Sequence, residues 1–164
     1  MKSWLLALPL ITGAISCAGP ATDVHPSALT APVSMQCLDL NGKTLNPDAD
    51  LSAGKPVVLV FWQSWCNSCL EEAPLVERAR RIYANKIAFY GVVSGPDQVV
   101  DEDAVRKVIA QKQLSYPTLR DRDGALSKHF LVQYTPSVVV INAQRRVVYS
   151  GSHLPERWDW LLGE

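Results

Sequence analysis

Unbroken apolar runs alternate with helix-like segments along most of this chain. The runs at 57–62, 87–93 and 137–142 are rich in β-branched residues, the pattern of strands that are covered on both faces of a sheet. Between the first two lies 70–83, with acidic residues early and arginines late, and 101–113 follows with apolar residues at helical spacing. Alternating strands and helices predict parallel βαβ units.

Shorter elements are predicted around these units. Segments 35–40 and 43–45 flank Asn41-Gly42, a dipeptide that favours a two-residue hairpin turn. Four more short elements are expected downstream: an extended piece at 116–119, a helix at 125–131, a hairpin strand at 147–150 and a closing helix at 155–162. We therefore expect an α/β, three-layer fold with a central mixed sheet, helices on both faces and an N-terminal β-hairpin.

The first residues have the character of a targeting segment. Lys2 precedes an apolar stretch at 4–15, which has the length of a signal-peptide core and is too short to span a bilayer. This stretch ends in Ala14-Ile15-Ser16-Cys17, which resembles the lipobox of bacterial lipoproteins, with Ala14 where Leu is usual. We expect a lipoprotein-type signal peptide at 1–16 and an acylated Cys17.

The predicted mature chain has two parts. Residues 17–33 contain three prolines and few groups to bury, so they are expected to form a flexible tether to a domain at 34–164. Two alternatives for the N-terminus remain open. Ser16 and Ala18 also satisfy the small-x-small rule for ordinary cleavage after Ala18, and a transmembrane anchor is the third interpretation.

Composition narrows the class of function. The chain has 16 basic and 16 acidic residues, so it has no basic field that would attract nucleic acid. With 48% hydrophobic residues it can form a packed core without disulfide cross-links. Its four cysteines are too few and too unevenly spaced for a disulfide scaffold.

Cys66 and Cys69 form a Cys-x-x-Cys pair between a predicted strand and a predicted helix. In a βαβ pattern this arrangement indicates thiol–disulfide exchange, because two intervening residues in the first helical turn bring the sulfurs within bonding distance. The helix N-terminus favours thiolate over thiol at the first position. We expect Cys66 to be the exposed nucleophile and Cys69 the resolving cysteine.

The surroundings of this pair resemble a known family. The matching run is Phe61-Trp62-Gln63-Ser64-Trp65-Cys66-Asn67-Ser68-Cys69-Leu70-Glu71-Glu72-Ala73-Pro74. It is similar to the active-site segment of the TlpA/ResA group of thioredoxin-like, DsbE-related proteins. The resemblance extends over about 35–151 and includes Asp123-Gly124 and Tyr134-Thr135-Pro136, while Arg145 stands where the family commonly has Gly.

The resemblance implies a thioredoxin-like fold and a substrate-facing wall. In this family the proline that matches Pro136 is cis and lies against the cysteines, and the backbone of Thr135 is free to pair with an extended substrate. Without the resemblance, an ordinary trans proline at a strand start would be an equal alternative. Trp65 matches a partly exposed tryptophan that offers substrate a flat apolar contact.

The resemblance also supplies a candidate proton acceptor. Val60 occupies the position of thioredoxin's buried Asp, whereas Glu72 matches the family's acidic residue near the cysteines and is expected to accept the proton of Cys69. The alternative is a solvated helix glutamate, the state that we expect for Glu71 and Glu77.

The implied activity is a membrane-tethered reductase. Three kinds of partner are expected: client protein thiols and disulfides, such as those of cytochrome c apoproteins; a membrane thiol protein that donates electrons; and the membrane itself. The expected location is the bacterial periplasm or extracytoplasmic face, with no cofactor beyond the redox-active disulfide and no metal. Three alternatives stay open: an oxidase or isomerase with the same residues, a copper carrier, and a binding module without chemistry.

The remaining cysteine and histidines are expected to be structural. Cys37 alternates with apolar neighbours and is predicted to be a small buried hydrophobe. His25, His129 and His153 show no metal-ligand spacing and are expected in the tether, on a helix surface and in a loop.

Overall fold

A computed structural model of the protein describes residues 29–32 and 34–162. The predicted signal peptide at 1–16, Cys17 and most of the predicted tether lie outside these residues. Within them the elements follow in the order β1 (Cys37–Leu38), β2 (Thr44–Leu45), α1 (Pro47–Ser52), β3 (Val57–Phe61), α2 (Asn67–Tyr83), β4 (Ala88–Ser94), α3 (Glu102–Lys112), β5 (Thr118–Asp121), α4 (Ala125–His129), β6 (Ser137–Ile141), β7 (Val147–Gly151) and α5 (Asp159–Leu162).

The main sheet has five strands with β3 at its centre. Its strand order is β5-β4-β3-β6-β7. β3, β4 and β5 are parallel, as expected for strands joined through the crossover helices α2 and α3, while β6 and β7 run antiparallel to their neighbours. The predicted α/β fold with a mixed sheet is confirmed.

Alternate residues of β3 enter the cores on opposite faces of the sheet. Val57, Leu59 and Phe61 pack with residues of α1 and α4, whereas Val58 and Val60 pack with the apolar face of α2. A third cluster joins α3 to the two cysteines through buried valines. The first two clusters hold helices on the two faces of the sheet, which gives the three layers, and the third packs around the cysteines at the start of α2.

The N-terminal hairpin is present, but its turn is longer than the predicted two residues. The N–H of Asp39 donates to the carbonyl of Lys43 at 2.8 Å. Asp39 Oδ1 also accepts hydrogen bonds from the N–H groups of Asn41 and Lys43. This carboxylate therefore organises a three-residue loop at 40–42, in place of the Asn-Gly turn.

One helix was not predicted, and two others are shorter than predicted. Helix α1, which was not predicted, has only six residues and begins at Pro47, so it is too short to show a helical period. Helix α4 ends at His129 because Leu131 takes a positive φ of 56°. Helix α5 has four residues, since the chain before Asp159 runs irregularly along the domain.

Arg145 fastens the start of the described chain to the domain. It has a φ of 63°, in the region where the family's glycine is comfortable. Its guanidinium forms an ion pair with Asp48, with Nη2 and Oδ1 2.8 Å apart, and donates to the Pro32 carbonyl, while its own carbonyl accepts the N–H of Ala31. These contacts offset the strained backbone, and they explain why arginine is accommodated at this turn.

The guanidinium of Arg120 lies in the interior, although arginine is seldom buried. It donates to the carbonyls of Val93 and Gly95 and forms ion pairs with Asp97 and Glu102. The buried charge is therefore paired and hydrogen-bonded, and it joins β5 to the segment between β4 and α3.

Glu77 is also buried, so the prediction of a solvated side chain is wrong for it, while Glu71 is exposed. Ser115 donates to the Glu77 carboxylate through both its N–H and its hydroxyl. Arg80 and Arg81 pair with the same carboxylate from the next helical turn. These partners replace the water molecules that the carboxylate loses on burial. The spacing of residues in the sequence did not reveal them.

None of the helices in residues 29–32 and 34–162 combines the length and the apolar character needed to cross a bilayer.

Candidate active site

The site begins where α2 starts, just after the central strand. Cys66 is the N-cap residue of α2, with extended backbone angles of φ −87° and ψ 103°. Its sulfur accepts a hydrogen bond from the N–H of Cys69 at 3.2 Å. An oxygen-bearing side chain usually fills this position, so the sulfur takes the role of the cap and lies beside the positive end of the helix.

Cys66 and Cys69 form a disulfide, with Cα atoms 5.2 Å apart. Cys66 is 6% exposed and Cys69 3%, so the prediction of an exposed Cys66 is wrong for this disulfide form. The Ser68 hydroxyl and the Thr135 carbonyl each lie 3.5 Å from the Cys66 sulfur and cover it. Cys66 is nevertheless the more accessible of the two residues.

A groove of about 230 Å³ is lined by Trp65, which precedes Cys66 in the chain, and by Thr135, whose carbonyl contacts the Cys66 sulfur. Its walls include Trp65 and Tyr134, which are 71% and 63% exposed, and its polar lining includes Gln63 and Ser127. Two exposed aromatic rings beside a reactive sulfur provide flat apolar contacts for another protein. The structure thus places Trp65 at the mouth of the site, as expected.

The Thr135–Pro136 peptide bond is cis, as the resemblance predicts. The Thr135 carbonyl faces Cys66, and Pro136 lines the cavity that also contains Cys69. The structure therefore brings these two residues against the cysteine pair, although they are some 70 positions away in the sequence.

Glu72 lies behind the disulfide and is only 7% exposed. It shares a small cavity with Cys69, whose other walls are apolar or aromatic: Val60, Trp62, Ala73, Val76, Tyr116 and Pro136. The alternative of a solvated Glu72 is therefore not what the fold produces. Glu72 and Cys69 therefore share a largely apolar cavity that is nearly closed to solvent.

Both carboxylate oxygens of Glu72 have partners in the segment after β7. Oε1 accepts the N–H of Leu154 at 3.0 Å, and Oε2 lies 3.1 Å from Nδ1 of His153. The prediction that His153 lies in a loop is correct, but nothing in the sequence connected this residue with the site. No local pattern could have done so, because 81 residues separate the two side chains.

Trp62 closes the site on the side of the sheet. It is 4% exposed, and its indole Nε1 has no hydrogen-bond partner among the described residues. A Cβ at Gly91 would come within 2.8 Å of this nitrogen, so glycine is required in β4 for the indole to lie flat on the strand. Trp62 therefore acts as packing beneath the cysteines.

Cys37 is separate from this chemistry. It is free and half-buried in β1. Burial, together with the charges of Asp121 and Asp123, raises the pKa of the Cys37 thiol to about 11, so it remains protonated and unreactive at neutral pH. Within 29–32 and 34–162, no three side chains of His, Cys, Asp or Glu gather in the manner of a metal site.

Comparisons with known proteins agree with this geometry. The family model described as Redoxin matches residues 23–157. The thioredoxin-like protein YneN of Bacillus subtilis is 29% identical over 108 residues, which are 64% of this chain and 63% of that protein. The thiol-disulfide oxidoreductase ResA of Bacillus thuringiensis is 29% identical over 111 residues, 67% of this chain and 61% of the relative. This chain thus spans somewhat over three fifths of these relatives' length.

A solved structure is similar over a larger share of its own chain. A secreted disulfide oxidoreductase of Mycobacterium tuberculosis, described as homologous to E. coli DsbE, is 26% identical with a TM-score of 0.62, covering 79% of this chain and 92% of that one. The family match covers most of the chain and the fold agrees with it. The chain therefore belongs to the Redoxin family, and it is similar to the thioredoxin-like, ResA and DsbE-homologous proteins within the range of these comparisons.

Proposed function

We propose that this protein is an extracytoplasmic reductase of protein disulfides, with Cys66 as its nucleophile and Cys69 as its resolving cysteine. The observation that carries the proposal is the Cys66–Cys69 disulfide at the N-terminus of α2, where the first sulfur is the helix cap. In the reduced protein the Cys69 N–H and the Ser68 hydroxyl would both donate to a Cys66 thiolate. Such donors favour the nucleophilic form.

The reaction consists of two exchanges. The Cys66 thiolate attacks one sulfur of the client disulfide, so a bond forms between Cys66 and the client while the other client sulfur leaves as a thiolate. Cys69 then loses its proton to Glu72 and attacks Cys66, which forms the Cys66–Cys69 disulfide and releases the second client sulfur. Two electrons pass to the client, and a thiol protein of the membrane restores the dithiol.

The client would bind in the groove beside the disulfide. Trp65 and Tyr134 supply exposed ring faces, and the backbone at Thr135 borders the Cys66 sulfur. An extended client segment could pair with this backbone while its cysteine reaches Cys66. The resemblance to the ResA group makes apoprotein thiols of cytochrome c maturation the first clients to test.

The location is proposed from the N-terminal sequence. The apolar stretch before Cys17 and the description of one structural relative as secreted support export, and Cys17 is proposed as the lipidated residue that holds the domain near a membrane. Mass spectrometry of the mature N-terminus tests this: a free amino terminus at Gly19 would contradict the lipid anchor.

Trapping of the mixed disulfide tests the proposed roles. In the full-length Cys69→Ser variant the resolving thiol is missing, so Cys66 should remain joined to its clients. We expect acid-quenched, alkylated cells to contain covalent adducts that disappear on reduction. Mass spectrometry of these adducts would then identify client and donor proteins.

Two matched variants serve as controls. Cys66→Ser/Cys69→Ser should capture nothing, while Cys37→Ser/Cys69→Ser should capture the same proteins as Cys69→Ser. Capture that persists without Cys66, or an absence of adducts in Cys69→Ser, would contradict the assignment of Cys66 as the nucleophile.

A further inference from the structure

His153 forms the hydrogen-bonded link between the buried Glu72 carboxylate and the outside of the protein. The side chain of Glu72 is 8% exposed and that of His153 is 71% exposed, yet Nδ1 and Oε2 lie 3.1 Å apart. The Leu154 N–H binds the other carboxylate oxygen at 3.0 Å. Two consecutive residues of one loop therefore hold both oxygens of a carboxylate on α2.

The loop is itself held in place. The Tyr149 hydroxyl, from β7, donates to the His153 carbonyl at 2.8 Å. Burial raises the pKa of Tyr149, and the negative charges of Glu72 and Glu156 raise it further, so this hydroxyl remains a donor at neutral pH. This hydrogen bond holds the backbone of His153 in the position from which its side chain reaches Glu72.

We propose that His153 is a positioning residue for the resolving step: with the Leu154 N–H, it fixes the place of the Glu72 carboxylate beside the cavity that Cys69 also lines. The inference rests on the proposed function and deepens it. The two hydrogen bonds, one to each oxygen, restrict the rotation of the Glu72 side chain. Glu72 is then ready to take the Cys69 proton.

His153 forms no covalent bond in the resolving step. The Cys69 proton moves to Glu72, the Cys69 thiolate bonds to the Cys66 sulfur, and the bond between Cys66 and the client breaks. The client sulfur leaves with the electron pair as a thiolate, and Glu72 later returns its proton to water. Besides the pair itself, the titratable groups around it are Cys69 and Tyr116 across the cavity, Tyr149 on β7, and Glu156 in the loop.

Stopped-flow reaction of the reduced protein with dithiobis-nitrobenzoate separates the two exchanges. Attack by Cys66 releases one thionitrobenzoate, and attack by Cys69 on the resulting mixed disulfide releases the second. The full-length chain is used with Cys17 and Cys37 replaced by serine, so that only these two thiols report. The variants are His153→Ala, His153→Asn, Glu72→Gln and, as matched control, His129→Ala, an exposed histidine bonded to the Thr30 carbonyl.

We expect His153→Ala to leave the first phase unchanged and to slow the second about tenfold, the effect of losing one charge-assisted hydrogen bond. The pH profile of the second phase should shift, while that of the first phase should not. His153→Asn, whose amide N–H can occupy the place of Nδ1–H, should recover most of the rate. Adding His153→Ala to Glu72→Gln should cause no further loss, because both act through one carboxylate.

Different results overturn different claims. Equal slowing of both phases, an unshifted pH profile, no recovery in His153→Asn, or an effect of the same size in His129→Ala would overturn the role of His153. Failure of the parent protein to release a second thionitrobenzoate would instead overturn the proposed function, since Cys69 would then not resolve the mixed disulfide.

Discussion

At the scale of single residues, α2 carries two buried carboxylates with opposite uses. Glu77 has four donors and lies away from the disulfide, so its contacts are structural. Glu72 has two donors and lines the cavity that Cys69 also lines. Under the proposed function it is Glu72, with fewer fixed donors than Glu77, that exchanges a proton.

Glu77→Gln should lower the free energy of unfolding by about 1–2 kcal/mol at neutral pH, because it replaces a charged acceptor. Burial opposes the charge, but hydrogen bonds from Ser115 and Arg81 and the charge of Arg80 outweigh it and lower the pKa of Glu77. Because the pKa of Glu77 is lower in the folded protein than in the unfolded chain, where it is about 4.3, the ionised carboxylate stabilises the fold fully at pH values above the unfolded-state pKa. This stabilisation is lost as the pH falls through the folded-state pKa.

Urea unfolding of Glu77→Gln and the parent protein, compared at neutral and acidic pH, measures this effect. The difference between the two proteins should shrink as the pH falls below about 4. Glu71→Gln, an exposed neighbour, is the control and should change stability little at either pH. A deficit in Glu77→Gln that is independent of pH would show that the carboxylate charge does not stabilise the fold.

At the scale of elements, the segment after β7 joins the core to the site. Trp158 is 6% exposed, and its ring lies 5.5 Å from that of Tyr83 on α2 and 5.8 Å from that of Phe89 on β4. The same segment presents His153 and Leu154 to Glu72. This irregular segment therefore contributes both to the core, through Trp158, and to the surroundings of Glu72, through His153 and Leu154. Neither contact requires the regular helix that was predicted from residue 155.

Trp158→Ala should lower the free energy of unfolding by about 3–5 kcal/mol, since it removes a large aromatic side chain from the core. Trp160 lies two residues further on and is 48% exposed. Trp160→Ala is therefore the matched control, with an expected cost below about 1 kcal/mol. Chemical denaturation of both variants checks the difference, and equal costs would show that Trp158 does not anchor this segment.

At the scale of the whole molecule, the site lies where four parts of the chain meet. The segment just after β3 supplies Trp62 and Trp65, the start of α2 supplies the cysteines, the loop before β6 supplies Thr135 and Pro136, and the segment after β7 supplies the partners of Glu72. The groove beside Trp65 opens at the same place. A client that fills it would contact Trp65 and Thr135, which adjoin Cys66, while Cys69 and Glu72 are almost completely buried.

Sequence patterns predicted the parts of this arrangement that depend on local order. The apolar run of β3 and the helical spacing in α3 follow directly from burial, and Cys66 and Cys69 are three positions apart. The resemblance added Thr135, Pro136 and Glu72 as expectations. What sequence could not supply were pairings over long separations, such as Glu77 with Ser115 and Glu72 with His153, because side-chain contacts of this kind leave no periodic trace.

The direction of electron flow is the central claim, and the midpoint potential of the Cys66–Cys69 couple tests it most directly. Equilibration of the protein in thiol–disulfide buffers, followed by alkylation and mass spectrometry, gives the fraction of oxidised pair at each potential. We predict one reversible two-electron transition nearer to about −270 mV, the value of thioredoxin, than to about −120 mV, the value of the oxidant DsbA. A potential close to the latter, or no transition of this cysteine pair, would contradict the assignment as a reductase.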